Sequence, residues 1–355
     1  MLIFVFIAIF TTLFLFAYLE DYIEKEKWYA YIVICILLVL NAGLRPIGCD
    51  PDSINYENAF LNFDNQLLAL NYEASFLTLC KIGYSIVSDV HIVFLFYAMI
   101  AIPLRFLAIK KLTPYLFSSL IIYFGNFYIL HDYTQLRVSI ASSLFLLSIP
   151  YICEENKKKA FVLMLCALIF HYSSLVLFII LFLSNKPLNI KWRIGLACIV
   201  PIGIATLLLK VDLITVIPIP YIQDKIEAYR KIQEYTDMFE EVSLVNAFLW
   251  IKIILFLYAI YFYDTISQQC KYLPLLLKIM GASIFAFFGF SQLPVISGRI
   301  SELFGIIEIV FYPYVIMTTI KPKYIATLLV CLLAFIEFAF NLFIWKLLDF
   351  TSNTL

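Results

Sequence analysis

Residues 157–186 read KKKAFVLMLCALIFHYSSLVLFIILFLSNK, and the way this stretch enters an apolar phase sets the architecture of the whole chain. Between Lys159 and Lys186 the run is apolar except at its middle, where His171-Tyr172-Ser173-Ser174 stands. A single crossing takes about 20 apolar residues and would leave the flanking lysines on opposite sides of a bilayer. Short loops rich in Lys and Arg stay on the cytoplasmic side, so both basic clusters belong together. The spacing therefore predicts a re-entrant or broken helical hairpin near His171. Its halves, 159–170 and 172–184, would each reach about 18–20 Å at about 1.5 Å per residue.

The same two rules order the rest of the chain. Apolar runs at 2–18, 29–44, 91–109, 112–130, 136–152, 194–209, 246–263, 273–290, 300–319 and 324–346 predict about ten full transmembrane helices beside the hairpin. Loops 19–28, 110–111, 153–159, 186–193, 264–272 and 321–323 then face the cytoplasm and hold thirteen of the 25 Lys and Arg. Leu2–Tyr18 has no basic segment before it and no small-residue cleavage site, so a retained helix is expected rather than a signal peptide. In loop 210–244, Ile222, Ile226, Tyr229 and Ile232 alternate at helical spacing with Gln223, Asp224, Lys225, Arg230 and Lys231. That pattern predicts an amphipathic helix on the outer surface around 221–240. Residues 73–88 invite a similar reading. No polar stretch is long enough to fold alone, so the expectation is an all-α polytopic membrane protein with one integral domain over 1–355.

Composition excludes the main alternatives. The chain is 63% hydrophobic and 14% charged with a formal net charge of zero; soluble domains are nearer half apolar and a quarter charged. There is no basic footprint for nucleic acid. The eight cysteines form no CxxC pair and most sit in or beside apolar runs, which argues against both a disulfide framework and a zinc site.

With the hairpin in place, the polar clusters gather on the outer face. They are Gly43 through Tyr56, His131 through Arg137, the His171–Ser174 tip, and Ser297 through Glu302. Ionisable groups at a membrane boundary cost free energy unless paired or hydrated, which makes them functional candidates. Each has a structural alternative. Arg45 and Arg137 could be surface anchors, and Arg299 with Glu302 could be an i, i+3 pair on one helix face. His171 could be a packing histidine, and Asp50-Pro51-Asp52 an ordinary turn. Together, three arginines and a histidine suit an anionic substrate, because planar guanidinium groups match phosphate oxygens in pairs.

These words resemble the EpsG family, a branch of the Wzy-type polysaccharide polymerases. The similar pieces are Ala42-Gly43-Leu44-Arg45, then Gly48-Cys49-Asp50-Pro51-Asp52 with Tyr56, then Gln135-Leu136-Arg137 with Ile140-Ala141, then Phe170-His171-Tyr172-Ser173-Ser174, and Gly298-Arg299. They stand in family order. The chain departs from the pattern at Cys49 and Pro51, where the family often has a small hydroxyl residue.

The resemblance implies an inverting, GT-C-like membrane glycosyltransferase that joins undecaprenyl-diphosphate-linked oligosaccharides at the outer leaflet and releases undecaprenyl diphosphate. It implies His171, Asp50 or Asp52 on the acceptor hydroxyl, and Arg45, Arg137 and Arg299 on the diphosphate. Tyr56, Gln135, Ser173 and Glu302 would be further substrate contacts. No metal is expected; a divalent cation on Asp50 and Asp52 is the alternative. The implied setting is the bacterial inner membrane, with the site facing the periplasm or exterior and a chain-length regulator as a partner. The rival readings are a flippase or transporter for the same lipid-linked oligosaccharides, and a transferase like the O-antigen ligases. A transporter would be expected to show internal repeats and broken helices in both halves, and the sequence has no convincing repeat.

Overall fold

The computed structural model describes residues 2–65, 72–213, 227, 230, 244 and 246–348. The expected amphipathic helix at 221–240 lies almost wholly outside them. The regular structure among the described residues is all helical, with no strand among them. The chain divides into two compact units, residues 1–181 with 308–355, and residues 182–307.

The larger unit opens with α1 (Leu2–Leu19) and α2 (Lys27–Gly43), followed by the short helices α3 (Ser53–Leu61) and α4 (Ala74–Ile86). Next come α5 (His91–Leu112) and α6 (Leu116–Tyr123), which widens into a π-helical segment over Phe124–Thr134. Then come α7 (Leu136–Cys153) and α8 (Lys157–Phe170). α7 is buried along almost its whole length and forms the centre of the unit. Burial from water drives little association between helices in lipid, so close packing has to hold them. Aromatic interlocking supplies part of it. The Phe6 ring lies 5.2–6.5 Å from those of Phe124, Tyr128, Tyr133 and Phe338, the range in which offset and edge contacts are favourable.

α8 ends at His171, whose backbone is extended (φ −154°, ψ 113°). The chain resumes as a 3₁₀ helix, Tyr172–Phe182, and runs back along α8. Lys157 Nζ donates to the Leu181 carbonyl at 2.9 Å, and the Phe161 and Phe178 rings meet at 5.7 Å. The two halves are therefore antiparallel with His171 near their turn, as the charge pattern predicts. Ser174 closes the turn by donating to the His171 carbonyl through its N–H at 3.0 Å and its hydroxyl at 2.6 Å.

The basic loops of this unit also come together. Lys323 pairs with Asp21, and Glu20 Oε1 accepts from the Leu116 and Phe117 N–H groups at 2.6 and 3.3 Å. Lys110 lies 4.1 Å from the centre of the Trp28 ring, and Lys111 donates to the Tyr151 hydroxyl at 2.8 Å. Loops 19–28, 110–111, 153–159 and 321–323 are thus neighbours at one end.

The smaller unit holds α9 (Ile190–Leu208), α10 (Ala247–Tyr261), α11 (Tyr263–Ser267), α12 (Leu273–Gly289) and α13 (Pro294–Gly305). Its own basic loops are joined as well. Arg193 grips both oxygens of Asp264, and Asn185 donates to the Lys271 carbonyl at 2.8 Å. The chain returns to the larger unit as α14 (Glu308–Thr319) and α15 (Lys323–Ala339), the latter ending in a π-helical turn, Phe340–Ile344.

Five helices among the described residues are long and apolar enough to cross a membrane: Leu2–Leu19, His91–Leu112, Leu136–Cys153, Ile190–Leu208 and Lys323–Ile344. The sequence predicts about ten. The difference has a local cause in each case. The run 112–130 is split between α6 and the π segment, and 300–319 is interrupted between Gly305 and Glu308. α2, α10 and α12 have only 17, 15 and 17 residues, about 22–26 Å at about 1.5 Å per residue.

Candidate functional site

Three polar constellations lie on neighbouring elements of the larger unit, the first and third at the end away from its basic loops and the second deeper, where Arg105 stands inside α5. The first is the turn after α2. Gly43 lets α2 approach α5, since a Cβ there would fall 2.5 Å from Leu95 Cδ2 and 3.0 Å from its Cα. The helix then stops, and Gly48 takes a positive φ of 83° to close the turn. Asp50 organises the start of the next helix. Its Oδ1 accepts from the Asp52 and Ser53 N–H groups at 3.1 and 2.9 Å, capping α3. Its Oδ2 accepts from Arg45 Nε at 3.0 Å. Arg45 also donates to the Ala42 carbonyl at 2.9 Å and lies 4.0 Å from the centre of the Phe94 ring. Both side chains of this pair are sealed from solvent. Burial pushes the neighbouring Cys49 thiol up to about 12, so it keeps its proton and is no nucleophile.

The second constellation forms around the π segment. Its wider turn, carried by the Gln135 N–H donating to the Leu130 carbonyl at 3.1 Å, re-aims the residues just before α7. Asp132 Oδ2 accepts from Arg105 Nη1 and from the Tyr123 hydroxyl, each at 2.7 Å, and Oδ1 accepts from the Ser139 hydroxyl. Arg105 Nη2 donates to the Ser139 carbonyl at 3.0 Å and to Ser142 Oγ at 2.7 Å. Ser142 Oγ lies 3.1 Å from His131 Nδ1. The Arg105 and Asp132 side chains are fully buried.

The third joins what the sequence leaves far apart. Glu73, just before α4, pairs through Oε2 with Arg137 Nη1. Its Oε1 lies 3.1 Å from His171 Nδ1 and accepts the Tyr172 N–H at 3.3 Å, so it satisfies the backbone freed by the break in α8. Arg137 also donates to the Tyr56 hydroxyl and lies 4.8 Å from the centre of the Tyr72 ring. Burial by itself would raise the Glu73 carboxyl, but the hydrogen bond from His171 and the charge of Arg137 outweigh it and hold the group at about 2.

An ionised carboxylate only accepts, so Nδ1 of His171 carries a proton toward Glu73, and in the neutral imidazole that tautomer leaves the lone pair on Nε2. That nitrogen makes no hydrogen bond to the described residues. The Glu73 side chain is 4% exposed, against 13% for His171 and 21% for Arg137. The imidazole and the guanidinium are partly open to solvent while the carboxylate behind them stays covered.

Of the expected site residues, the structure brings Tyr56, Arg137 and His171 together. Asp52 is half-buried within electrostatic reach of Tyr56 and Tyr72. Gln135 is half-buried at the joint between the π segment and α7, and Ser173 is exposed beside His171. Arg45 and Asp50 face each other in the adjoining turn. Arg299, exposed, and Glu302, half-buried, lie on α13 of the smaller unit. Among the described residues no three His, Cys, Asp or Glu side chains converge as metal ligands would.

Sequence reasoning passes over Glu73, Tyr72 and the Arg105–Asp132 pair. One signal does exist: an arginine inside an apolar run demands a buried partner, and Asp132 is the acid nearest the end of the next run. Glu73 carries no comparable mark.

A family model, the EpsG family, matches residues 27–354. No curated protein and no solved structure matches the chain.

Proposed function

The chain belongs to the EpsG family, a family of Wzy-like polysaccharide polymerases, and from that premise we propose that it joins undecaprenyl-diphosphate-linked repeat units at the outer leaflet of the bacterial inner membrane. The observation that carries this reading is the Glu73–His171–Arg137 cluster, which sets a base beside a guanidinium at the end of the unit opposite its basic loops. Basic loops stay cytoplasmic, so the cluster would face the periplasm or exterior, where lipid-linked repeats are presented.

In the reaction proposed, a hydroxyl of the incoming unit's non-reducing sugar attacks the anomeric carbon of the growing chain. A new C–O bond forms there as the bond from that carbon to the diphosphate oxygen breaks. The leaving electron pair goes to undecaprenyl diphosphate, and the hydroxyl proton goes to His171 Nε2. Arg137 offers donors to the developing phosphate charge, which a fixed guanidinium does without reorganising. Direct displacement inverts the anomeric centre. Tyr56, Tyr72 and Asp52 line the same cluster as contacts for the sugar. The catalysis proposed needs no metal.

A turnover assay separates this reading from lipid translocation. Purified protein in proteoliposomes is given fluorescent lipid-linked repeat on one face. New glycosidic bonds and release of the lipid diphosphate support a polymerase; movement of intact lipid between leaflets without new bonds supports a flippase and overturns the proposal. Transfer to a foreign acceptor lipid, with no ladder of repeats, would support the ligase-like alternative.

A further inference from the structure

We propose that Glu73 couples capture of the diphosphate to activation of His171, because Arg137 and His171 share its carboxylate in the free site and His171 holds it alone once Arg137 turns to the phosphate. This rests on the reading above that the site takes a diphosphate carrier. The division of the carboxylate supports it directly: Oε2 goes to Arg137 and Oε1 to His171, so one partner can leave without disturbing the other.

Anchoring and exposure set which partner leaves. Oε1 also accepts the Tyr172 N–H, which ties Glu73 to the hairpin tip that carries His171. Arg137 comes from a different element, α7, and its side chain is the most exposed of the three. An incoming diphosphate therefore meets the guanidinium first. Phosphate oxygens match a guanidinium in pairs and bring more charge than one carboxylate. Arg137 retains the Tyr56 hydroxyl and the Tyr72 ring on its other sides, neutral contacts that do not oppose the exchange.

When the guanidinium turns away, the negative charge facing His171 loses its compensation. An uncompensated carboxylate at hydrogen-bond distance favours the imidazolium, so Nε2 becomes a stronger base when substrate is present. Glu73 faces His171 directly and Arg137 faces it through Glu73; the Tyr56, Tyr72 and Tyr97 hydroxyls surround Arg137, with Asp52 and Arg45 beyond them. Arg137 is the arginine paired with Glu73, whereas Arg45 is paired with Asp50. Glu73 is thus a positioning residue. It holds the His171 tautomer and tunes its basicity without touching the reacting atoms.

The experiment is a titration of His171 by nitrogen NMR on the full chain in nanodiscs, assigned with the His171→Gln variant. Farnesyl diphosphate is the probe. The ligand's own charge raises the His171 titration somewhat in any variant, so the comparison between variants carries the test. In the wild type the probe should move the midpoint up by about one unit, and in Glu73→Gln by less than half as much. Glu73→Asp, which keeps the charge, should recover most of the shift. Equal shifts in wild type and Glu73→Gln overturn the coupling while leaving the diphosphate reading intact. No saturable response in the wild type overturns both. If the Glu73 variants do not fold, Arg137→Gln replaces them: loss of the guanidinium should raise the His171 midpoint with no ligand present, and an unchanged midpoint overturns the proposal.

Discussion

Replacing Arg105 with Met should destabilise the larger unit strongly, because it breaks an ion pair sealed from solvent. The substitution keeps most of the side-chain volume and removes three donors, to Asp132 Oδ2, the Ser139 carbonyl and Ser142 Oγ. Asp132 would keep Tyr123 and Ser139, yet stand as a buried charge with no counter-charge. Breaking a sealed pair by removing one partner costs about 3–5 kcal/mol. For a chain of 355 residues, an unfolding entropy of about 2.1 cal/mol/K per residue turns that into a fall of about 4–7 °C in apparent Tm. The assay is thermal unfolding of the purified protein in a mild detergent, followed by tryptophan fluorescence at one fixed heating rate. The double variant Arg105→Met with Asp132→Asn should recover at least half of the loss, because the orphaned charge is gone. A fall under about 1 °C for Arg105→Met, or a double variant worse than the single, would refute the reasoning that this network is held by its ion pair.

The same geometry sets three further outcomes. Arg137→Lys should lower polymer formation at least tenfold at normal membrane levels, since an ammonium cannot give phosphate oxygens the paired contacts of a planar fork; full activity would remove Arg137 from the phosphate site. Chelation with EDTA should leave polymerisation intact, and loss with rescue by magnesium or manganese would move the chemistry to a metal held by Asp52. Glu20 gives a pH signature. Burial, only partly offset by the Leu116 and Phe117 N–H groups, lifts its carboxyl from 4.5 to about 7. The folded chain then binds more protons than the unfolded chain between those values, so stability falls as pH rises from about 4.5 to about 7 and levels off above. Glu20→Gln, which keeps an accepting oxygen without the charge, should flatten that fall in a thermal-shift series, and an unchanged slope would contradict the assignment.

The hairpin was legible in the sequence because two independent signals coincide there: basic clusters that must share a side, and a polar word midway between them. The grouping of loops 19–28, 110–111, 153–159 and 321–323 was legible for the first of those reasons. Span count was not, because a hydropathy window averages over local breaks. It reads 112–130 and 300–319 as continuous, although the first widens into a π helix and the second breaks after Gly305.

The site was legible in part. Arg137 and His171 stand out because a charge beside an apolar run is conspicuous. Their convergence does not, since it depends on Glu73, which lies 64 residues from one and 98 from the other. The Arg45–Asp50 pair shows the opposite case. Conspicuous in sequence as separate phosphate and acceptor candidates, the two are five residues apart and pair with each other, while Asp50 alone also holds the Ser53 N–H at the start of α3.

Ladder formation by purified His171→Ala protein, given lipid-linked repeat and compared with the wild type at equal amounts, tests the central assignment most directly. Loss of a general base lowers the rate by roughly two to four orders of magnitude, and binding of the lipid-linked carrier should stay near the wild-type level because Arg137 is untouched. Ladders at near-normal rate in the alanine variant would make His171 a structural residue of the hairpin turn and pass the base to an acid of the 50–52 turn.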